Sequence, residues 1–396
     1  MAAKTNSGNV DRSNLIPFSS RLKEGKALAQ DVWSIFAAAN LPADCINLGQ
    51  GYMNFAPPVW VTKAAEEALH SVAPNHYSHP RGRIRLREAI KSFYGPQLNR
   101  DLDVESEILV TSGANEGQYS VFTAFLEQGD EVIMFEPFFD QYLPSVTFNG
   151  GKPVYVPLHP PTDSKIKSSS NEWTLDIAEL RRAITPRTKM IIVNTPHNPV
   201  GKVFTKQELE AIASLAEEFN LLYDCLVFDG KEHVRIANLP GMWDRTVTAF
   251  AATGWRIGWL IGPASIIQPT LAASTRIVFC SNSPLQEAAC HWKFFENQLS
   301  EYAERRKVLC DAFDEIGLKY TLPEGSYFVL LDISEVKFPE DYPFPKSVLG
   351  RGRDFRSFYC DEHANIGEAY ARFAFCKDVD TLKKAVERLR RLKEYM

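Results

Sequence analysis

The chain has 396 residues, 45% of them hydrophobic, so it is long enough to bury one large hydrophobic core or two moderate ones. Its formal net charge of −5 and pI near 6.0 provide no broad cationic surface, which argues against nucleic acid and anionic membranes as partners. Seven scattered cysteines, an odd number with no C-x-x-C pair, predict reduced thiols rather than a disulfide framework or a metal site.

The first 20 residues lack the apolar region of a secretory signal peptide. No apolar run of the sequence reaches the ~18 residues that a membrane-spanning helix needs. Asp11 and the lack of an Arg-rich amphipathic face argue against a mitochondrial address. We therefore expect a soluble, cytoplasmic protein, with a mitochondrial location as the alternative.

Short apolar runs alternate with helical segments along the first two thirds of the chain. Runs of nearly continuous hydrophobicity are typical of strands that are covered on both faces of a parallel sheet. The pattern predicts an α/β fold. The predicted strands cover Ile108 to Val110, Glu131 to Phe135, Val154 to Val156, Met190 to Val193, Leu221 to Phe228 and Trp259 to Ile261.

The stretch TSGANEGQ, residues 111–118, follows the first of these strands and begins a helix. The small residues Ser112, Gly113 and Ala114 allow backbone N–H groups to approach an anion at the positive end of the helix. The alternative is an ordinary turn between a strand and a helix.

Three further segments offer candidate contacts or connections. Phe138 and Phe139 could cover a flat ring, although two aromatic residues after a strand are also typical of core. Residues 157–173 are rich in Pro and Ser and predict a surface loop. In NTPHNPVGKVF, residues 194–204, two Asn and two Pro within six residues predict a rigid loop that presents the Asn198 amide, or else a simple turn.

The last third of the chain begins with a charge in an apolar strand. Arg256 lies between Trp255 and Trp259 and needs a partner, either an anionic ligand or a structural carboxylate. Apolar residues then recur at helical spacing from Leu299 to Ile316, and Gly317 follows as a stop signal. This helix would connect to a C-terminal domain.

Taken together and in this order, the motifs resemble those of the class I aminotransferases, closest to the branch of kynurenine aminotransferase, glutamine transaminase K and cysteine-conjugate β-lyase. The resemblance covers nearly the whole chain. Its motifs are INLGQGYMNFAPP, NHYSHPRGRIRLREAI, TSGANEGQ, EPFFDQY, NTPHNPVGKVF, LVFDGKEH, TGWRIGW and YARFAFCK.

The resemblance implies the fold type I of enzymes that use pyridoxal 5′-phosphate (PLP), with a mostly parallel sheet in a large domain and a smaller α+β domain. It places the large domain at residues 61–298 and the small domain at 1–60 and 299–396. It also implies a homodimer and amino transfer from kynurenine, glutamine or an aromatic amino acid to a 2-oxo acid. Cysteine-conjugate β-lyase activity would be a side reaction.

The resemblance also assigns roles to individual residues. Backbone groups of Gly113, Ala114 and Asn115, with Arg256, would bind the cofactor phosphate, and Tyr77 would reach the same phosphate across the dimer interface. Phe139 would stack on the pyridine ring, whose oxygen Asn198 and Tyr223 would contact. Trp33 and Gly51 would line the substrate side, and Arg372 would bind the substrate α-carboxylate in a bidentate manner, which a guanidinium suits.

The chain departs from the family pattern in blocks. In the position of the lysine that holds the cofactor as a Schiff base stands Thr248, and no lysine occurs between Lys231 and Lys293. Asn220 stands where an aspartate would support the ring nitrogen, unless that strand is missing, and an apolar strand is missing before Phe358. Three origins explain these gaps: a coding sequence that skips short segments, a natural variant, or a sequence from which residues were omitted. As the alternative function, the chain is a catalytically inactive relative that binds a small anion or a partner subunit.

Overall fold

The computed structural model describes residues 42–162, 166–217, 233–252, 254–290, 295–337 and 358–396. These residues form eleven β-strands and eleven α-helices in an α/β arrangement. The strands are β1 Ile108–Thr111, β2 Glu131–Glu136, β3 Lys152–His159, β4 Lys167–Ser169, β5 Thr174–Leu175, β6 Thr188–Ile192, β7 Thr248–Ala252, β8 Ile257–Ile261, β9 Tyr320–Leu322, β10 Phe328–Asp332 and β11 Tyr370–Ala374. The helices are α1 Val59–His70, α2 Ile84–Gln97, α3 Ala114–Phe125, α4 Tyr142–Phe148, α5 Ile177–Ala183, α6 Lys206–Ala216, α7 Ala264–Ile277, α8 Ser283–Ala289, α9 Phe295–Ile316, α10 Ala364–Gly367 and α11 Val379–Leu389.

A four-stranded sheet in the order β5-β3-β2-β6 forms the centre of the structure. Strands β3 and β6 run parallel to β2, and the two-residue β5 is antiparallel to β3. All six residues of β2 are buried, and its four apolar residues alternate between two hydrophobic clusters, one containing Ile133 and the other Met134. Burial on both faces is the condition under which nearly continuous apolar runs form parallel strands, and the three strands predicted here are confirmed.

A second sheet has the order β1-β8-β7, with β8 antiparallel to both neighbours. It packs on the same cluster as the central sheet, since Leu109 and Leu260 join Met134 and Ile192 there. Within the described residues, β2 is the strand beside β6, and β8 is the strand beside β7. The predicted strand from Leu221 to Phe228 lies outside the described residues.

The third sheet contains the strands from the last third of the chain, in the order β11-β10-β9-β4. Helices α9 and α11 cover it, and their residues Phe313 and Leu382 enter one cluster with Leu331 and Phe375. Helix α9 confirms the helical spacing up to Ile316. Gly317 follows with φ +85°, a left-handed conformation that ends helices.

The interpretation of residues 157–173 as a surface loop is wrong for much of this segment. Strand β4 pairs in parallel with β9, which brings the segment into the third sheet. The Trp173 side chain is fully buried, and its Nε1–H donates to Thr321 Oγ1 at 3.2 Å. The serines that suggested a loop take part in local turns, since Ser169 and Glu172 form a capping box. The sequence signal was local, whereas the burial comes from distant chain.

Two smaller observations concern membrane crossing and cysteines. No helix within the described ranges is both long and apolar enough to cross a bilayer. The six described cysteines, at positions 45, 280, 290, 310, 360 and 376, are free thiols.

Candidate active site

The turn between β1 and α3 forms a site for an anion. Gly113 is the N-cap of α3 with φ +87°, so the free N–H groups of the first helical turn are at this corner. The guanidinium of Arg256 lies against Gly113, because a Cβ atom built there would be 2.7–2.8 Å from its atoms. A side chain at position 113 would therefore displace the cation. Arg256 Nη2 donates to the Ser112 carbonyl oxygen at 2.9 Å.

Hydroxyl groups complete this corner. Ser112 Oγ lies 3.4 Å from Ser281 Oγ, which comes from the segment before α8. Gly258 packs so closely on α3 that a Cβ there would lie 2.7–2.8 Å from the Gly113 carbonyl carbon and the Ala114 nitrogen. A positive helix end, a guanidinium and two hydroxyls in one place are the groups that bind a phosphate monoester. Ala114 and Asn115, in the first turn of α3, are at the same corner as predicted.

The two phenylalanines after β2 have different environments. Phe138 is buried, and its ring stacks on Tyr155 at 5.5 Å between centroids. Phe139 is only partly buried and makes an edge contact of 5.5 Å with Tyr142. Thus Phe138 is core, while Phe139 is the ring available to a flat ligand.

Asn198 is held in place by a chain of hydrogen bonds that begins beside Phe139. Asn194 Nδ2 donates to the Tyr142 hydroxyl at 2.8 Å, and the Asn198 backbone N–H donates to Asn194 Oδ1 at 2.7 Å. The Asn198 side chain then accepts a bond of 3.4 Å from Arg372 Nη1. The loop therefore presents the Asn198 amide, as the sequence predicted, and joins it to the guanidinium on β11.

Arg372 forms a second cationic corner. Its Nη2 donates to the Gly49 carbonyl oxygen at 2.9 Å, and its guanidinium carbon lies 4.1 Å and 4.7 Å from the ring centroids of Phe328 and Phe358. Burial lowers the pKa of Arg372 to about 10, against the opposing effect of the Asp140 carboxylate. The group is therefore still a cation at neutral pH, surrounded by aromatic rings and neutral oxygens.

Gly51 lies beside this corner at a close approach. A Cβ at Gly51 would lie 2.5 Å from ring atoms of both Phe328 and Tyr327, so no larger residue fits without displacing them. The buried Lys377 fixes the segment by donating to the carbonyl oxygens of Gln50 at 3.0 Å and Tyr52 at 2.7 Å.

Three predicted residues are not part of these contacts. Tyr77 is 86% exposed and makes an edge contact of 5.5 Å with Phe279, which is itself 47% exposed. Trp33 and Tyr223 lie outside the described residues. The roles assigned to these three stay predictions.

Thr248 does not lie at the anion-binding corner. It is 2% exposed and pairs with Ile261, whereas Ala252, at the other end of β7, pairs with Ile257 next to Arg256. Four residues of extended strand separate the two ends by about 14 Å. Residues 248–252 form a strand of the sheet. The position aligned with the Schiff-base lysine is therefore core.

The two buried lysines of the described chain are committed elsewhere. Lys202 pairs with Glu208 at 2.9 Å, and Lys377 is bonded to the two carbonyl groups named above. Over the described ranges, no lysine contacts the residues of either cationic corner.

Sequence reasoning missed Ser281 and Phe358. Ser281 meets Ser112 across 169 positions of chain, and Phe358 reaches Arg372 from outside the YARFAFCK motif. No spacing signal marks either residue. In contrast, Ser112 and Asp140 stand inside motifs that the sequence had singled out.

Comparisons with known proteins agree with this geometry. The sequence model of the family described as aminotransferase class I and II matches residues 43–389. A Saccharomyces cerevisiae protein named "Probable kynurenine--oxoglutarate transaminase BNA3" is 42% identical, with 93% of each chain covered. Kynurenine–oxoglutarate transaminase 1 of Rattus norvegicus is 36% identical, with 92% of this chain and 96% of the relative covered.

Solved structures give the same result. The crystal structure of Bna3p from Saccharomyces cerevisiae matches with a TM-score of 0.89 at 40% identity, covering 96% of this chain and 100% of that one. N-succinyldiaminopimelate aminotransferase from Mycobacterium tuberculosis matches with a TM-score of 0.82 at 31% identity, covering 95% and 100%. The predicted α/β class and fold type I are confirmed.

The alignment lengths show that relatives have residues this chain lacks. The yeast alignment runs over 416 positions but covers 93% of 396 residues, about 368, so about 48 aligned positions have no counterpart here. The rat alignment runs over 408 positions and covers 92%, about 364 residues, which leaves about 44. The chain therefore differs from these relatives by missing positions as well as by substitutions. With the motif order, the paired cationic corners and a family match over most of its length, the chain belongs to the aminotransferase class I and II family.

Proposed function

We propose that this protein is a PLP-dependent aminotransferase of the kynurenine–oxoglutarate type. With the segments that this chain lacks, it would move the amino group of kynurenine, glutamine or an aromatic amino acid to a 2-oxo acid. The chain as it stands is an impaired version of that enzyme, because Thr248 occupies the position of the Schiff-base lysine. The observation that carries the proposal is the pair of cationic corners, Arg256 at the N-terminus of α3 and Arg372 beside Asn198. A chain of contacts through Tyr142 also joins Phe139 to the Asn198 loop. The names of the yeast and rat relatives support the substrate class.

The phosphate end of PLP fits the residues present. Gly113, Arg256, Ser112 and Ser281 would hold the phosphate, and Phe139 would cover one face of the ring. When bound, PLP supplies an electron sink for bonds at the amino acid Cα. The fit does not extend to covalent attachment, because no lysine of the described chain contacts either corner, and we derive no proton transfer through such a group.

The substrate end fits an amino acid carboxylate. Arg372 presents a planar fork in a partly dry setting, where a bidentate bond to a carboxylate is strong. Phe328 and Phe358 flank the guanidinium and keep water from it. Kynurenine, glutamine and 2-oxoglutarate all carry this carboxylate.

A homodimer is part of the proposal and is supported by the surface. Large apolar side chains are exposed around α1 and the ends of α7, where a monomer in water would be expected to bury them. A second copy of this chain, related by a two-fold axis, would cover the patch and bring Tyr77 to the neighbouring phosphate site. The patch consists of Val59, Trp60, Leu69, Val72, Tyr77, Ile84, Ile277 and Phe279.

One observation favours a second candidate function. Thr248 is buried in β7, away from both corners, so the chain as it stands keeps groups for binding but has lost those for covalent chemistry. The second candidate is a protein that binds a small anion, or a partner subunit, without turnover.

The test is to titrate the purified chain with PLP by calorimetry, then reduce the complex with borohydride and map its peptides by mass. We expect saturable binding, about 10-fold to 100-fold weaker in Arg256→Gln, because a charge-assisted hydrogen bond contributes ~1.5–3 kcal/mol. Arg391→Gln, at an exposed position, is the matched control. We expect no lysine bearing a pyridoxyl group and no turnover of kynurenine with 2-oxoglutarate. Absence of PLP binding would favour the second candidate.

A further inference from the structure

A buried carboxylate stands next to the ring-binding segment. Glu136 ends β2, is fully buried, and comes three residues before Phe139. A buried carboxylate is costly unless several donors satisfy it. The Cys360 backbone N–H donates to Glu136 Oε1, and His363 Nδ1 contacts Oε2.

These contacts dock one segment of chain onto another. The Phe138 backbone N–H donates to the Phe358 carbonyl oxygen at 2.8 Å, so residues 358–363 are held against the end of β2 at three points. Phe358 is 5% exposed, and its ring lies 4.7 Å from the Arg372 guanidinium. Glu136 itself contacts neither guanidinium in the recorded bonds. An effect of Glu136 on the substrate end would pass through the segment that carries Phe358.

Burial raises the pKa of Glu136, and the bonds from Cys360 and His363 oppose that shift. The titratable groups that face the carboxylate are Tyr155, Tyr359, Cys360 and His363, with Asp361 near Tyr155. Of these, only the Cys360 segment and His363 offer it hydrogen bonds in the recorded contacts.

Glu136, Cys360 and His363 are residue types that bind metal ions. Their ligand atoms lie within 4.8 Å of one another. However, each carboxylate oxygen already has an N–H or ring nitrogen partner. The geometry therefore favours a hydrogen-bonded pair over an ion site.

We propose that the Glu136–His363 pair is a positioning device that fixes Phe358 against Arg372 and so sets the affinity of the site for the substrate carboxylate. The part that concerns substrate rests on the proposed function. The docking of residues 358–363 does not, and it can be measured in the protein alone.

The first measurement is hydrogen–deuterium exchange of Glu136→Gln, which keeps shape and removes charge. We expect at least tenfold faster exchange in residues 358–363, with peptides of β3 unchanged. His363→Ala, at a partner whose side chain is 29% exposed, gives the same test if Glu136→Gln does not fold. His363→Asn is the conservative variant, because its amide can donate where Nδ1 stands, and we expect wild-type exchange. Unchanged exchange in both disruptive variants would overturn the proposal.

The second measurement separates the two ends of the site. We expect Glu136→Gln and His363→Ala to bind kynurenine at least tenfold more weakly, while PLP binding changes less than twofold. Equal loss of both would indicate general unfolding and would contradict a positioning role. A wild-type chain that binds no kynurenine would contradict the proposed function, and exchange would still decide the docking. Binding of one equivalent of Zn²⁺, lost in both Cys360→Ser and His363→Asn, would overturn the pair in favour of an ion site.

Discussion

Arg372 shows how its surroundings tune a single side chain. The guanidinium donates to a backbone carbonyl and an amide oxygen and lies between two aromatic rings, so it is oriented before any ligand arrives. Because the side chain is already oriented, less conformational entropy is lost when a ligand binds. The residue is therefore the best point at which to test substrate binding.

We expect Arg372→Lys to weaken kynurenine binding about tenfold or more, because an ammonium keeps the charge but loses the planar fork. PLP binding should change little, and Arg390→Lys on the surface is the matched control.

Kynurenine affinity in the wild type should be flat from pH 6 to 9. Since the lowered pKa of Arg372 is about 10, the cation is lost only as pH rises through that value. Both are measured by calorimetry, and equal affinities of Arg372→Lys and wild type would contradict the assignment.

Sequence and structure differ most clearly for the hairpin of β7 and β8. The sequence aligned Thr248 with the Schiff-base lysine by counting residues before TGWRIGW. In the folded chain, Ala252 pairs with Ile257 at one end of the hairpin, and Thr248 pairs with Ile261 at the far end of the strand. Thr248, at the aligned position, therefore lies about 14 Å from Ala252, the end of the strand nearest Arg256.

We expect that Thr248→Lys does not restore covalent attachment, since the new amine would be buried far from Arg256. It should also destabilise the fold by about 2–4 kcal/mol, because a buried ammonium lacks a partner. Ala251→Lys is the control on the exposed side of the same strand and should cost little. Thermal unfolding and borohydride mapping measure the two effects. A lysine with a pyridoxyl group in Thr248→Lys would show that the hairpin register is wrong.

At the scale of the whole molecule, two sheets share a core, and among the described residues β6 lies beside β2 and β7 lies beside β8. Parallel sheets rarely expose central edges, because unpaired backbone groups in the interior are costly. About 48 aligned positions of the yeast relative have no counterpart here, which is enough for a strand and more. A complete sheet would place a further strand between β6 and β7.

We predict that the uninterrupted coding sequence contains three segments that this chain lacks. They are an S-x-x-K segment between Val247 and Phe250, an S-D-E-x-Y strand that ends at Tyr223, and an apolar strand before Phe358. Sequencing the transcript across these junctions is the measurement. A transcript that matches the present chain codon for codon, with a folded product, would contradict the prediction and favour the non-catalytic candidate.

Assembly is the second prediction at this scale. We expect a homodimer in light scattering, because a monomer would leave the apolar patch around α1 in water. Leu69→Glu combined with Val72→Glu should shift the mass toward the monomer. Ile166→Glu, equally apolar and 50% exposed but outside the patch, should leave it unchanged. A folded wild-type chain that is monodisperse as a monomer would rule out the dimer.

The sequence by itself determined whatever depends on neighbouring residues. Apolar runs predicted five of the strands that the structure describes. Gly113 marked the turn before α3, and the motifs named Arg256, Asn198 and Arg372. These features were predictable because their signals lie in neighbouring residues and in the chemistry of the residues themselves. Only the tertiary structure decided what depends on distant chain. Partners separated by 148 positions or more bury Trp173, join Ser112 to Ser281 and hold Glu136 against residues 358–363. Thr248 became core for the same reason, since strand register and burial are set by which segments pair across the sheet, and no local pattern records that pairing.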